Sequence, residues 1–186
     1  MKAYKLFAGL AIGAAAFSSC KKEDPIIPNE EEVITTVIYT LISDDMQDTA
    51  VFEFLDLDGD GGNAPSIKND VLKANTNYQG SIQLLNEQET PAEDITLEVQ
   101  AEAEEHQFFY SQEATLNTTF SYDDDDLDGN PIGLATNVVV GNISTGTFTI
   151  VLRHEPDKNA TGVSDGDITN AGGETDIEVN FSADIQ

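Results

Sequence analysis

The chain has 186 residues, enough for one domain with a real core. It carries 35 acidic residues against 8 Lys plus Arg, a formal net charge of -27. That balance excludes nucleic acid, whose phosphates need basic side chains, disfavours an anionic membrane surface, and makes divalent cations natural partners.

The N-terminus is patterned for export. Lys2 and Lys5 precede the apolar run LFAGLAIGAAAF, which closes on small residues and the single cysteine in SSC. A basic start, a short apolar stretch and small residues predict a secretory signal over residues 1–19, too short for a stable transmembrane span. With one cysteine, no intramolecular disulfide or CxxC chemistry is available. The segment Phe17-Ser18-Ser19-Cys20 resembles a bacterial lipobox, with Phe17 in place of the usual leucine. The resemblance implies acylation of Cys20 and a membrane partnership through that lipid anchor. Lys21, Lys22, Glu23 and Asp24 resemble the surface-export signal of Bacteroidota lipoproteins, which implies an outer-membrane, cell-surface location. Residues 20–32 (KKEDPIIPNEEE after Cys20) are charged, contain two prolines and read as a tether.

From Val33 onward the periodicity is that of strands, and residues 33–186 form the predicted domain. VITTVIYTLI is β-branched and aromatic, and alternation puts Val33, Thr35, Val37, Tyr39 and Leu41 on one face. TAVFEFLDL follows, then a weaker segment around Ile67 to Lys73, then YQGSIQLLN. In ETPAEDITLEVQAEAEEHQFF the signals change to those of a helix. Thr90 can cap, Pro91 suits the first helical position, and Glu93 completes a capping box. Ile95, Val99, Ala103 and His106 then recur at helical spacing. TLNTTFSY, ATNVVVGNI, GTFTIVLRH and TDIEVNFSADI return to strands. In the last, Ile177, Val179, Phe181, Ala183 and Ile185 share one face. Regularly spaced strands with Gly, Asp and Asn turns predict a mainly β, Ig-like antiparallel β-sandwich with one inserted short helix.

LDLDGDGGNAP, LLNEQETPAEDI, EHQFFY and LRHEPDK with DITNAGGETDIEV together resemble a family of small flavobacterial surface lipoproteins of unassigned function. The likeness spans most of the mature chain. A label attached to such proteins, the type 1 periplasmic-binding fold, implies an α/β architecture, which the strand-rich pattern contradicts.

Two features carry candidate chemistry. Asp56, Asp58 and Asp60 before Gly61 match the start of an EF-hand calcium loop, and Asp124, Asp126 and Asp128 before Gly129 repeat the spacing. Position twelve, a glutamate in such loops, is Ile67 in one and Ala135 in the other. Each loop therefore reads either as a weak calcium site or as a hairpin turn needing no metal. Asp165 and Asp167 make a poorer third version.

The second feature is the pair of histidines. His154 closes an apolar strand face, and His106 falls on the apolar phase of the predicted helix. With Glu105 and Glu155 beside them, they could form a zinc or copper site if helix end and strand end meet. Otherwise both are hydrogen-bonded boundary residues. No H-E-x-x-H helix or phosphate-binding glycine loop is present in the sequence. The resulting expectation is a non-enzymatic, surface-anchored binding lipoprotein, accessory to an outer-membrane uptake receptor. A metal-scavenging protein using His106 and His154 and a structural or adhesive surface module are the alternatives.

Overall fold

The computed structural model describes residues 32–59 and 62–186. The predicted signal peptide, Cys20, the tether up to residue 31, and Asp60 lie outside the described residues.

The domain is a mainly β sandwich of antiparallel sheets with one short helix. The larger sheet contains β1 (Thr36–Ser43), β2 (Thr49–Leu55), β3 (Ser66–Lys68), β5 (Asn77–Asn86), β8 (Thr118–Tyr122) and β9 (Ala135–Val140), in the order β3-β2-β1-β5-β9-β8, with β6 (Glu93–Asp94) paired to the end of β5. The smaller sheet runs β4 (Val71–Leu72), β11 (Glu174–Ile185), β10 (Ser144–His154), β7 (His106–Gln112). Every pairing is antiparallel except the two-residue contact of β4 with β11.

Alternation builds the core as the sequence predicts. Val37, Tyr39 and Leu41 of β1 and Tyr78, Ile82 and Leu84 of β5 are buried, while their sequence neighbours, apart from the buried Thr36, face outward or are only half-buried. From the smaller sheet, Phe148, Ile150 and Leu152 of β10 and Val179, Phe181, Ala183 and Ile185 of β11 meet them. Phe52 stands edge-on to Phe148 at 5.0 Å, and Phe148 lies 5.5 Å from Phe181. Such aromatic pairs add about 0.5–1.5 kcal/mol each beyond area burial.

Gly80 lets the sheet close over Tyr39. A Cβ there would lie 2.3 Å from the Thr136 hydroxyl and 2.6 Å from the Tyr39 hydroxyl, which are hydrogen-bonded to each other at 2.7 Å. On the outer face of the smaller sheet, Phe109 and Val151 are covered by Val163 and Ala171, so β10 is apolar on both faces near its end.

The helix differs from its prediction. Instead of starting at Pro91, α1 covers only Thr96–Ala101. Glu93 and Asp94, which the capping box would place in the first turn, pair with β5 as β6. Asp94 accepts from the Thr96 amide, and Thr96 uses its hydroxyl on the backbone of Leu84. These contacts tie the helix start to the sheet and shorten it. A turn over 102–105 follows, with the Glu105 amide donating to the Glu102 carbonyl. His106 therefore opens a strand and is not a helical residue. The aromatic run HQFFY suits a pleated surface, and β7 finds its partner in β10.

Candidate metal centre

His106 and His154 are cross-strand partners in the β7–β10 ladder. Both continue the inward-facing phase of their strands, after Phe108 in one and Leu152 in the other, at the end of the smaller sheet. Their side chains are buried, and the rings stack with centroids 4.5 Å apart and planes 25° from parallel.

Two carboxylates close on this pair. Glu32 comes from the chain just before β1, where the Thr35 amide and hydroxyl already bond the Leu85 carbonyl. Asp176 comes from the start of β11. Strict alternation would send Asp176 outward with Glu178 and Asn180. The register between β10 and β11 shifts at this point: Leu152 pairs with Ile177 but Arg153 pairs with Thr175. Asp176 is the extra residue of a β-bulge, and the bulge turns its side chain inward to 1% exposure. The Glu32 side chain is 6% exposed.

The donor atoms converge. His106 Nε2 lies 3.0 Å from Glu32 Oε1 and 3.9 Å from Asp176 Oδ2. His154 Nδ1 lies 3.7 Å from Glu32 Oε2 and 3.9 Å from Asp176 Oδ1. One donor from each of Glu32, His106, His154 and Asp176 falls within 4.8 Å of all the others. The Nδ1 of His106 is 3.1 Å from the Glu102 carbonyl, an acceptor only, so this nitrogen is the donor there and Nε2 is the one turned to the carboxylates. Among the described residues, neither His106 Nε2 nor Glu32 Oε2 makes a hydrogen bond, although both are buried. Polar atoms crowded together out of water with no hydrogen bond are costly unless a positive centre joins them.

The spacing suits such a centre. Donors held about 2.0–2.2 Å from one zinc ion at tetrahedral angles lie roughly 3.3–3.6 Å from each other. The observed contacts of 3.0 to 3.9 Å bracket that separation. Two imidazoles and two carboxylates fit zinc or copper, whereas calcium and magnesium take oxygen shells. Two carboxylate charges also neutralise a divalent ion, which matters in a buried site. The surroundings are anionic: the Glu98 carboxyl is raised above its usual range by burial and then by the negative charges of Glu93, Glu32 and Glu102.

Of the carboxylates flanking the histidines in sequence, Glu105 and Glu155 do not join this buried group. They form a second, exposed group with His154, with Glu105 Oε2 3.9 Å from His154 Nε2. Glu32 and Asp176 are the acids that sequence reasoning missed.

The aspartate loops use their carboxylates locally. Asp56 accepts from the amides of Asp58 and Gly59, and Asp58 from the backbone and side chain of Asn63. In the second loop Asp124 accepts from the Gly133 and Ala135 amides, and Asp126 from those of Asp128 and Asn130. The cation beside Asp126 is Lys158, whose Nζ sits 2.9 Å from Asp126 Oδ2, 2.6 Å from the Ala103 carbonyl and 3.1 Å from the Pro131 carbonyl. Asp128 is exposed, and Asp124, Asp126 and Asp128 do not gather into a common group. Asp167 caps the Thr169 amide.

A cleft of about 390 Å³, lined by residues including Ile34, Phe54, Asp56, Asp176 and Glu178, opens beside the bulge. No protein-family model, no curated protein and no solved structure matches this chain.

Proposed function

We propose that this protein is a non-enzymatic, surface-anchored lipoprotein whose β-sandwich binds one transition-metal ion, zinc or copper, at Glu32, His106, His154 and Asp176. The observation that carries the reading is the buried convergence of two imidazoles and two carboxylates, with His106 oriented by the Glu102 carbonyl. Metal-ligating histidines are held in the same way, the second ring nitrogen donating to a carbonyl or carboxylate. Anchoring rests on the lipobox-like Phe17-Ser18-Ser19-Cys20 and its acidic export-like sequel. An anchored module of this kind would concentrate scarce metal at the cell surface, for scavenging or delivery to an uptake receptor.

Calorimetric titration of zinc and of copper into chelator-treated protein tests the reading. One ion per chain should bind tightly, and the paired change His106→Ala/His154→Ala should abolish that binding. Undiminished affinity in the paired variant, with its fold verified by circular dichroism, would overturn it.

A further inference from the structure

Just past the end of the β7–β10 ladder at His106 and His154, the Glu155 amide donates to the Glu105 carbonyl at 2.6 Å. This bond brings the exposed Glu105 and Glu155 next to each other, each adjacent in sequence to one of the stacked histidines. The Glu105 side chain is 56% exposed, yet its Oε2 lies 3.9 Å from Nε2 of His154, a residue 3% exposed. Donors from Glu105, His154 and Glu155 fall within 4.8 Å of one another. The other nitrogen of the same ring, Nδ1, faces Glu32 and Asp176 inside. One imidazole thus forms the wall between an exposed three-donor group and a buried four-donor group.

Resting on the metal-binding reading, we propose that Glu105, Glu155 and Nε2 of His154 are a capture site, through which a divalent transition-metal ion reaches the buried centre. The exposed carboxylates attract the hydrated cation and exchange its waters readily. A neutral imidazole offers one lone pair at a time, so the ring serves the two groups in alternation. With the ion outside, Nε2 ligates. With the ion inside, Nδ1 ligates. The buried group holds the ion more firmly because it supplies a second imidazole and excludes solvent. The cleft beside Asp176 is the competing route, with Asp56 and Glu178 at its walls.

Stopped-flow mixing of the chain with zinc, read by a metallochromic chelator, separates the routes. The variant Glu105→Gln/Glu155→Gln should slow both association and dissociation at least tenfold and keep their ratio within about threefold, as removal of a way-station requires. A variant of equal charge change, Asp56→Asn/Glu178→Gln, should slow association by less than threefold. The proposal is overturned if the cleft variant is the slower of the two. It is also overturned if the Glu105/Glu155 variant changes only dissociation, since those acids would then belong to the final site. Absence of zinc binding by the unsubstituted chain would overturn the metal-binding reading itself.

Discussion

His106 and His154 face one another across the β7–β10 ladder with their rings stacked at 4.5 Å, and each presents a nitrogen to the carboxylate of Glu32. The pair bridges two strand ends, so a metal held there joins β7, β10, the start of β11 and the segment leading into β1. Such a ligand stabilises the folded state by mass action. At a free zinc concentration of 100 times Kd the gain is about 2.7 kcal/mol. For a domain of this size that raises Tm by roughly 5–10 °C. Differential scanning calorimetry of chelator-treated protein should show this rise with zinc and its loss in His106→Ala.

Asp176 and Glu178 are two residues apart, and strict alternation would give them the same surroundings. The bulge separates them: Asp176 is buried against both histidines and Glu178 is exposed. Asp176→Asn removes a charge from the ligand set and should weaken zinc at least tenfold, within the roughly 10–100-fold cost of losing even an outer partner. Glu178→Gln should change the equilibrium affinity by less than about threefold. Competition titration against a chelator of known affinity measures both. Equal effects would mean that the bulge does not define the site.

The same bulge marks where the sequence ceased to be readable. Period-two alternation correctly exposed the sandwich and the buried faces of β1, β10 and β11, because one-sided burial dictates that pattern directly. A register shift leaves no trace in composition, so Asp176 read as a surface acid. Glu32 read as the end of a charged tether because its neighbours, Glu30 and Glu31, are acidic and its contacts are with residues far along the chain. His106 carries a helical signal because Ile95, Val99 and Ala103 keep helical spacing beyond the helix's actual end at Ala101. Its meeting with His154 depends on ladder register, a long-range property. Lys158 could have been singled out as one of only 8 basic residues in an acidic chain, a shortage that makes each one a candidate for burial against a carboxylate.

The second aspartate loop makes a prediction about calcium. Asp124 and Asp126 spend their oxygens on four backbone amides and on the Lys158 ammonium, leaving only Asp128 turned to solvent. A hard cation needs six to eight oxygens and would have to displace that lysine. With the first loop disabled by Asp56→Asn/Asp58→Asn, millimolar calcium should leave Tm unchanged within about 1 °C. A clear rise in that variant would show that the second loop binds the ion after all.

Lys158 is the remaining structural wager. Its ammonium joins the Asp126 loop, the carbonyl of Pro131 and the carbonyl of Ala103, in the segment between α1 and His106. Both side chains of the ion pair are buried, at 4% and 1% exposure. Lys158→Met keeps the aliphatic length but leaves Asp126 without its counter-charge. Breaking a buried pair from one side costs about 3–5 kcal/mol, and the two backbone amides that Asp126 retains place the expectation near 3 kcal/mol. The pair also sets an acid limit. Burial pushes the Asp126 carboxyl up, but the Lys158 hydrogen bond and charge and the Asn130 and Asp128 amides outweigh it and hold it below the usual range. A carboxyl depressed on folding contributes stability that is complete above its unfolded value, about 3.9, and disappears as pH falls through its lower folded value. Urea denaturation at a series of pH values should therefore show the parent chain holding this contribution at pH 4–5. In Lys158→Met the Lys158-dependent contribution is missing throughout, so the gap between the two curves narrows as pH falls below about 3.9 and Asp126 takes up its proton. If the two curves ran parallel down to pH 3, the lysine would be a packing residue and its charge would not matter to Asp126.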